Sequence, residues 1–242
     1  MGPQPVLPDG CTELIVHRGR PFWRYDAAGG ATRQTPHLFV GQMLAPVVLA
    51  PDGDADIVAI RFEPFGAFAL VGGNQTMPSD QIIDAGALGE TWLSRAIVSA
   101  QAADTADDAL RILQGALVSR LDRKRTAVVD TRVTIAVDAL LRANGTLSIT
   151  DTAARAGTSA RHLERLFQEQ IGTSPKRFAR VLRFQAAAAH IASAPGANMA
   201  GVSVERGYFD QAHMIRDFVS FTGTTPKQFQ ASLGALTRAM LA

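Results

Sequence analysis

The chain has a single cysteine, Cys11, so it closes no intrachain disulfide, and a zinc site built on paired cysteines is excluded. Its five histidines are His17, His37, His162, His190 and His213, and none falls in an H-x-H or H-E-x-x-H pattern. A metal centre carried on closely spaced histidines is therefore not expected. There is no G-x-S-x-G elbow and no glycine-rich phosphate loop. No uninterrupted apolar run reaches the ~18–20 residues of a membrane span. The first ten residues lack a basic stretch followed by an apolar one, so no signal peptide is expected. The expectation is a cytoplasmic protein with no membrane partner, no cofactor, no metal ligands and no catalytic residues.

What is present is a core-forming composition, 47% hydrophobic over 242 residues, which excludes a disordered chain. Charge is unevenly spread. Residues 1–125 carry 11 basic and 14 acidic side chains, a net of −3, and residues 126–242 carry 13 and 8, a net of +5. An acidic front and a basic back suggest different partners for each, although a +5 surface can also be a merely solvated one.

The basic half contains an internal repeat. His162-Leu163-x-Arg165-x-Phe167, four residues, then Gly172-Thr173-Ser174-Pro175-Lys176-x-Phe178 recurs 51 residues later. The second copy is His213-Met214-x-Arg216-x-Phe218, four residues, then Gly223-Thr224-Thr225-Pro226-Lys227-x-Phe229. Two similar surfaces at fixed separation suit a target that repeats, and duplex DNA repeats every ~34 Å.

Up to about residue 85 the pattern reads as short strands: Thr12–Arg18, Phe22–Tyr25, His37–Leu44 and Ile57–Phe62, divided by Gly/Pro turns, as in a small sheet or partial barrel. From Leu88 the period becomes helical, with Leu88, Trp92, Leu93 and Ile97, then Leu110, Leu113, Leu117 and Leu121. Thr105 is a candidate N-cap between them, and Asp122–Arg125 reads as a connector. Beyond Val128 everything reads as helix. Val129, Val133, Val137, Leu140 and Leu141 form a stripe ended by Asn144-Gly145. Ser148 caps a short helix with Asp151 at the box position. Gly157 makes a tight turn, and Ser159 caps the next helix. Ser174-Pro175 opens a continuous helix over 175–193.

Short helix, glycine turn, second helix is helix-turn-helix grammar. Leu163, Leu166 and Phe167 face inward, leaving Ala160, Arg161, Glu164, Arg165 and Gln168 outward. In the second copy Val202 and Val204 lie on the first helix, Gly207-Tyr208 in the turn, and Asp210 caps a helix over 211–220. Met214 and Phe218 face in, and Gln211, Ala212, Ile215 and Arg216 out. In such motifs the N-terminal residues of the second helix reach base edges in the major groove. Arginine is the commonest reader there, because its fork matches both acceptors of guanine. A helix of 19 residues spans ~29 Å, close to one turn of DNA, and so could place both reading helices in successive grooves.

On these residues the chain resembles the AraC family of bacterial transcription regulators. The resemblance covers about residues 130–235. It rests on Ala153-Ala154-x-Ala156-Gly157-x-Ser159, Gly172-Thr173-Ser174-Pro175, and Gly207-Tyr208-x-Asp210-Gln211-Ala212 with Gly223-x-x-Pro226. It implies base contacts at Arg161 and Arg165 in the first unit and at Gln211, Ala212 and Arg216 in the second. Ser159, His162, Gln168, Asp210 and His213 complete the expected DNA-binding set. The implied partners are double-stranded DNA, a small-molecule effector of unknown identity, RNA polymerase and a second copy of the chain. Departures are Ser203 where the family usually has alanine, Gly201 within a helix, and the loop at 195–198. They lead us to expect a less stable second unit.

The fold class expected is α+β. Residues 1–125 form a β-rich sensor or dimerisation domain with a helical pair. Residues 126–242 form an all-α domain of two helix-turn-helix units joined by a long helix. The N-terminal half resembles the family's sensor domains loosely, through Pro8-Asp9-Gly10-Cys11 and Arg61-Phe62-x-Pro64-x-Gly66-Ala67. Two other readings stay open. One is a DNA-repair or DNA-modifying enzyme with Cys11 as acceptor; the other is a small-molecule binding protein whose helical half makes protein contacts.

Overall fold

A computed structural model describes residues 2–26, 28–76, 78–122, 126–194 and 196–233. Most of the expected connector, residues 123–125, and Pro195 of the second-unit loop lie outside the described residues.

The first half holds eight strands: β1 (Gln4–Val6), β2 (Thr12–His17), β3 (Trp23–Tyr25), β4 (Ala31–Arg33), β5 (His37–Val40), β6 (Val47–Ala50), β7 (Ile57–Phe62) and β8 (Ile82–Asp84). They form two antiparallel sheets, ordered β1-β6-β3-β4 and β7-β2-β5-β8. Helix α1 (Gly66–Val71) follows β7. The pair α2 (Thr91–Gln101) and α3 (Ala106–Asp122) then covers the second sheet. Alternation along β2 and β7 turns Leu14, Val16 and Val58 into one core with Leu93, Ile97 and Leu113.

The four expected strands are present, with His37–Leu44 cut at Val40. There the chain leaves the ladder, and Gln42 turns inward to donate to the Gly10 carbonyl at 2.7 Å. Strands β1, β4, β6 and β8 are additions, each three or four residues long. Thr105 caps α3 by accepting from the Asp108 amide. Of the leucine stripe on α3, Leu113 is buried, Leu110 and Leu117 are half-buried, and Leu121 is exposed.

The helical half runs α4 (Thr131–Arg142), α5 (Ile149–Arg155), α6 (Ala160–Gln170), α7 (Pro175–Ser193), α8 (Met199–Glu205), α9 (Gln211–Thr222) and α10 (Pro226–Ser232). Each start is fixed by a short polar side chain that accepts a free amide of the first turn. Asp130, Ser148, Ser159, Ser174, Asn198, Asp210 and Thr225 all do this. Asn144 and Gly145 both take the left-handed conformation after α4. A Cβ at Gly145 would collide with the Ala179 carbonyl, so glycine lets this turn press against α7.

Two cores share α7. Phe178 and Leu182 join Val137, Leu140, Leu163 and Phe167 in the first, while Phe184, Ala188 and Ile191 join Met214, Phe218 and Phe221 in the second. The second unit has an additional polar tie. Asp217 on α9 is 2% exposed and pairs with Arg180 on α7 at 2.7 Å. Arg180 also lies over the Phe221 ring.

The two halves touch directly. Leu7 is buried in the second-unit core, and Phe65 packs on the first. Gln185 donates to the Pro8 carbonyl and Arg177 to that of Leu44.

Two outcomes follow from this packing. His17 is buried in β2, and burial lowers its pKa from the ordinary 6.5, so the folded state holds it neutral. The unfolded chain then binds more protons as pH falls through 6.5. Stability should be retained above that value and decline as pH falls through it toward 5 in thermal melts, with a shallower decline in His17→Phe. Removing Asp217 strands a partly buried guanidinium, so Asp217→Ala should destabilise by about 3 kcal/mol in urea unfolding.

Candidate nucleic-acid interface

The two helix-turn-helix units are built alike from local rules. In the first, the Thr158 amide returns to the Ala153 carbonyl at 3.0 Å across the turn; in the second, the Tyr208 amide returns to Ser203 at 2.9 Å. Gly157 and Gly207 take φ of 65° and 71° at the matching points, the left-handed geometry that such a turn uses. Ser159 then accepts from the His162 amide at 3.2 Å, and Asp210 from the His213 amide at 2.6 Å. The match is 50 residues apart up to the turn and 51 after it, because the second turn is one residue longer. Phe209 is the extra residue.

The expected contact residues fall into two groups. Arg161 and Arg165 on α6, and Gln211, Ala212 and Arg216 on α9, are exposed. Arg165 pairs with Glu169 at 3.3 Å. That is a solvent-exposed i,i+4 pair worth only about 0.3–0.5 kcal/mol, so its guanidinium is readily redirected. Arg161 and Arg216 have no hydrogen-bond or ion-pair partner among the described residues. Ser159 and Asp210 are also exposed, but their side chains are occupied as caps.

His162, Gln168 and His213 are half-buried. The His213 ring stands edge-on to Tyr208 at 5.3 Å, and the His162 Nε2 is buried. Both histidines thus support packing behind the reading face. The Tyr208 side chain is buried under Arg183, and that burial raises its pKa above the ordinary phenol value. The net effect is one outward face on each reading helix, with a capped N-terminus at its leading end.

Sequence reasoning missed what holds the far end of α6. The Gln75 amide donates to the Glu169 carbonyl at 2.9 Å, and the Thr76 hydroxyl to the Gln168 carbonyl at 2.8 Å. Both groups come from the β-rich half and satisfy carbonyls that a helix end leaves open. No local pattern marks Gln75 or Thr76, because their partners lie more than ninety residues away.

Cys11 was the candidate acceptor of the enzymatic alternative. Burial, with the nearby Asp9 carboxylate adding to it, pushes its thiol up to about 12. Arg61 is engaged by Asp9 at 2.9 Å and Glu13 at 2.8 Å. A nucleophilic cysteine needs the thiolate, and this environment disfavours it. Among the described residues no cluster of three or more His, Cys, Asp or Glu is arranged to hold a metal, and no helix is long and apolar enough to cross a membrane.

Residues 152–232 match the family model of a helix-turn-helix domain, and residues 2–84 match that of a domain of unknown function (DUF6597). No curated protein sequence matches the chain. Among solved structures, an AraC-type DNA-binding domain-containing regulator from Chromobacterium violaceum is 26% identical. The match covers 41% of this chain and 89% of that one, with a TM-score of 0.37. An apo variant of ToxT from Vibrio cholerae is 12% identical over 96% of this chain and 94% of its own, with a TM-score of 0.51, so the two share a fold from end to end. A ToxT structure with a bound unsaturated fatty acid is 11% identical over 96% and 94%, at a TM-score of 0.48. Taken with the capped, duplicated helix-turn-helix units, the family-model match makes residues 152–232 a helix-turn-helix domain of the AraC type.

Proposed function

We propose that this protein is a sequence-specific regulator that lays α6 and α9 into successive major grooves on one face of its operator, and that its β-rich half modulates that binding. The observation that carries the reading is the pairing of Arg165 with Arg216. They stand at the same position on two reading helices whose N-termini are capped in the same way. The 19 residues of α7 extend ~29 Å, near the ~34 Å between grooves. The exposed arginines are the side chains suited to guanine, and Gln211 to adenine.

Modulation is supported by the contacts of Gln75 and Thr76 with the end of α6, since a shift of that loop acts directly on a reading helix. An open groove of about 550 Å³ between α2 and α3, lined by Glu90, Trp92, Arg95, Ser119 and Arg120, is the candidate effector position. Val98, Val118 and Leu121 are exposed on the same helical pair and are the candidate surface for a second copy. Contact with RNA polymerase belongs to the same reading, with no surface assigned to it. We divide the chain at 125/126 into these two working parts.

Selection of bound sequences from random duplex DNA should enrich a motif with two patches about one helical turn apart. On that motif Arg165→Ala should cost about 1–3 kcal/mol and relax base choice at one position. An equal loss on random DNA would mean that Arg165 touches only phosphate. Residues 126–242 alone should still melt cooperatively, because both helical cores are drawn almost wholly from them. The fragment should be less stable by about 1.5–3 kcal/mol for the lost burial of Leu7. A fragment without a cooperative transition would move the boundary.

A further inference from the structure

The two reading helices present different chemistry, although they are copies. At the 51-residue offset, Arg161, Glu164, Arg165 and Gln168 of α6 correspond to Ala212, Ile215, Arg216 and Val219 of α9. Of these four only the arginine is kept and the other three change from polar to apolar, whereas the preceding outward pair, Ala160 and Gln211, changes from apolar to polar. Ala212 and Val219 are exposed, and Ile215 is half-buried.

Phe209 adds to this face. It is the extra residue of the second turn, immediately before the Asp210 cap, and it is 91% exposed. Tyr208 beside it is buried, so the turn sends one aromatic ring inward and the next outward. A structural role for Phe209 is available in principle. A residue just ahead of an N-cap often packs on the fourth residue of the helix, which here is Met214. But Met214 is fully buried in the second-unit core, and a ring 91% exposed does not cover it. An apolar ring held in water at the leading end of a reading helix is placed for a ligand rather than for the fold.

We infer that α9 recognises thymine through its 5-methyl group, with Phe209 as the anchor and Ala212 beside it, whereas α6 reads by hydrogen bonding. This rests on the DNA-reading role proposed above. The thymine methyl is the apolar group on the major-groove edge, and side chains such as phenylalanine and alanine contact it. The N-terminal residues of a second helix are those that reach base edges. Gln211 and Arg216, on either side of Ala212, keep hydrogen-bonding contacts in register. The operator is then asymmetric, with one patch defined by guanine and the other enriched in thymine.

The test uses full-length protein and the duplex enriched by selection. Thymines in one patch at a time are replaced by deoxyuridine, which keeps the hydrogen-bonding edge and removes only the methyl. Arg216→Ala identifies the patch read by α9, as the one where base choice relaxes. Deoxyuridine there should weaken wild-type binding about three- to five-fold per contacted methyl, the worth of one buried carbon. Deoxyuridine in the other patch should leave affinity unchanged. In Phe209→Ser, a substitution at an exposed site that should leave the melting temperature unchanged, the penalty at the contacted thymine should disappear. An undiminished penalty in Phe209→Ser would overturn the assignment of Phe209. Operator binding that ignores deoxyuridine, with Phe209→Ser altering transcription alone, would make this face a protein-docking surface and overturn the inference. A wild-type protein that enriches no motif would overturn the DNA-reading role, and this inference with it.

Discussion

The helical half depends on one element serving two cores. Helix α7 gives Phe178 and Leu182 to the first unit and Phe184, Ala188 and Ile191 to the second. Phe178 meets Phe167 of the first reading helix edge-on at 6.0 Å, and Phe184 meets Phe218 of the second at 5.1 Å. Each reading helix therefore rests on the same rod. Interiors pack as densely as organic crystals, so neither helix turns on α7 without opening a void. The spacing of the two outward faces is thereby built in before any DNA is met.

The second unit carries features that weaken a helix locally, with compensation in its packing. Gly201 lies within α8, where glycine costs ~1 kcal/mol against alanine. Ser203 is buried, yet its hydroxyl donates to the Ala200 carbonyl at 2.8 Å and so leaves no unpaired donor. Across the unit, Asp217 takes two hydrogen bonds from Arg180, and Gln230 of α10 donates to the Ile191 and Ala194 carbonyls at the end of α7. These ties have no counterpart in the first unit, where Leu166 occupies the position matching Asp217. The duplication has thus kept geometry while the means of holding it, and the chemistry of the outward face, have diverged.

The β-rich half meets the helical half along α7 and at the end of α6. Residues 7 to 10 lie along α7, with Leu7 in one core, the Pro8 carbonyl on Gln185 and Gly10 against Phe178 of the other core. Gln75 and Thr76 meet the last carbonyls of α6. These are mostly hydrogen bonds to exposed or half-buried groups. Such bonds are worth about 0.5–1.5 kcal/mol each, strong enough to bias an orientation and weak enough to be exchanged.

Much of this was legible in the amino-acid order. The repeat was visible as a matched order of residues 51 apart, and the capping residues Ser148, Ser159, Ser174 and Asp210, the Asn144-Gly145 stop and the 19-residue helix are local, because each depends on groups a few residues apart. Strand β2 was legible as a β-branched, apolar run after the Pro8-Asp9-Gly10 turn, and β7 from the alternation of Val58, Ile60 and Phe62. Strands β1, β4, β6 and β8 were not, since each is three or four residues long and lies outside the runs that marked β3 and β5, and their existence depends on partners distant in the chain. The same holds for the candidate site. Sequence placed Arg161, Arg165, Gln211, Ala212 and Arg216 on outward faces, because helical spacing alone separates them from Leu163, Phe167, Met214 and Phe218. The inward turn of His162 and His213, the Arg180–Asp217 tie, the hold of Gln75 and Thr76 on α6 and the exposure of Phe209 were settled only by the tertiary structure. Each depends on which distant surface occupies the space beside a side chain, and no local pattern records that.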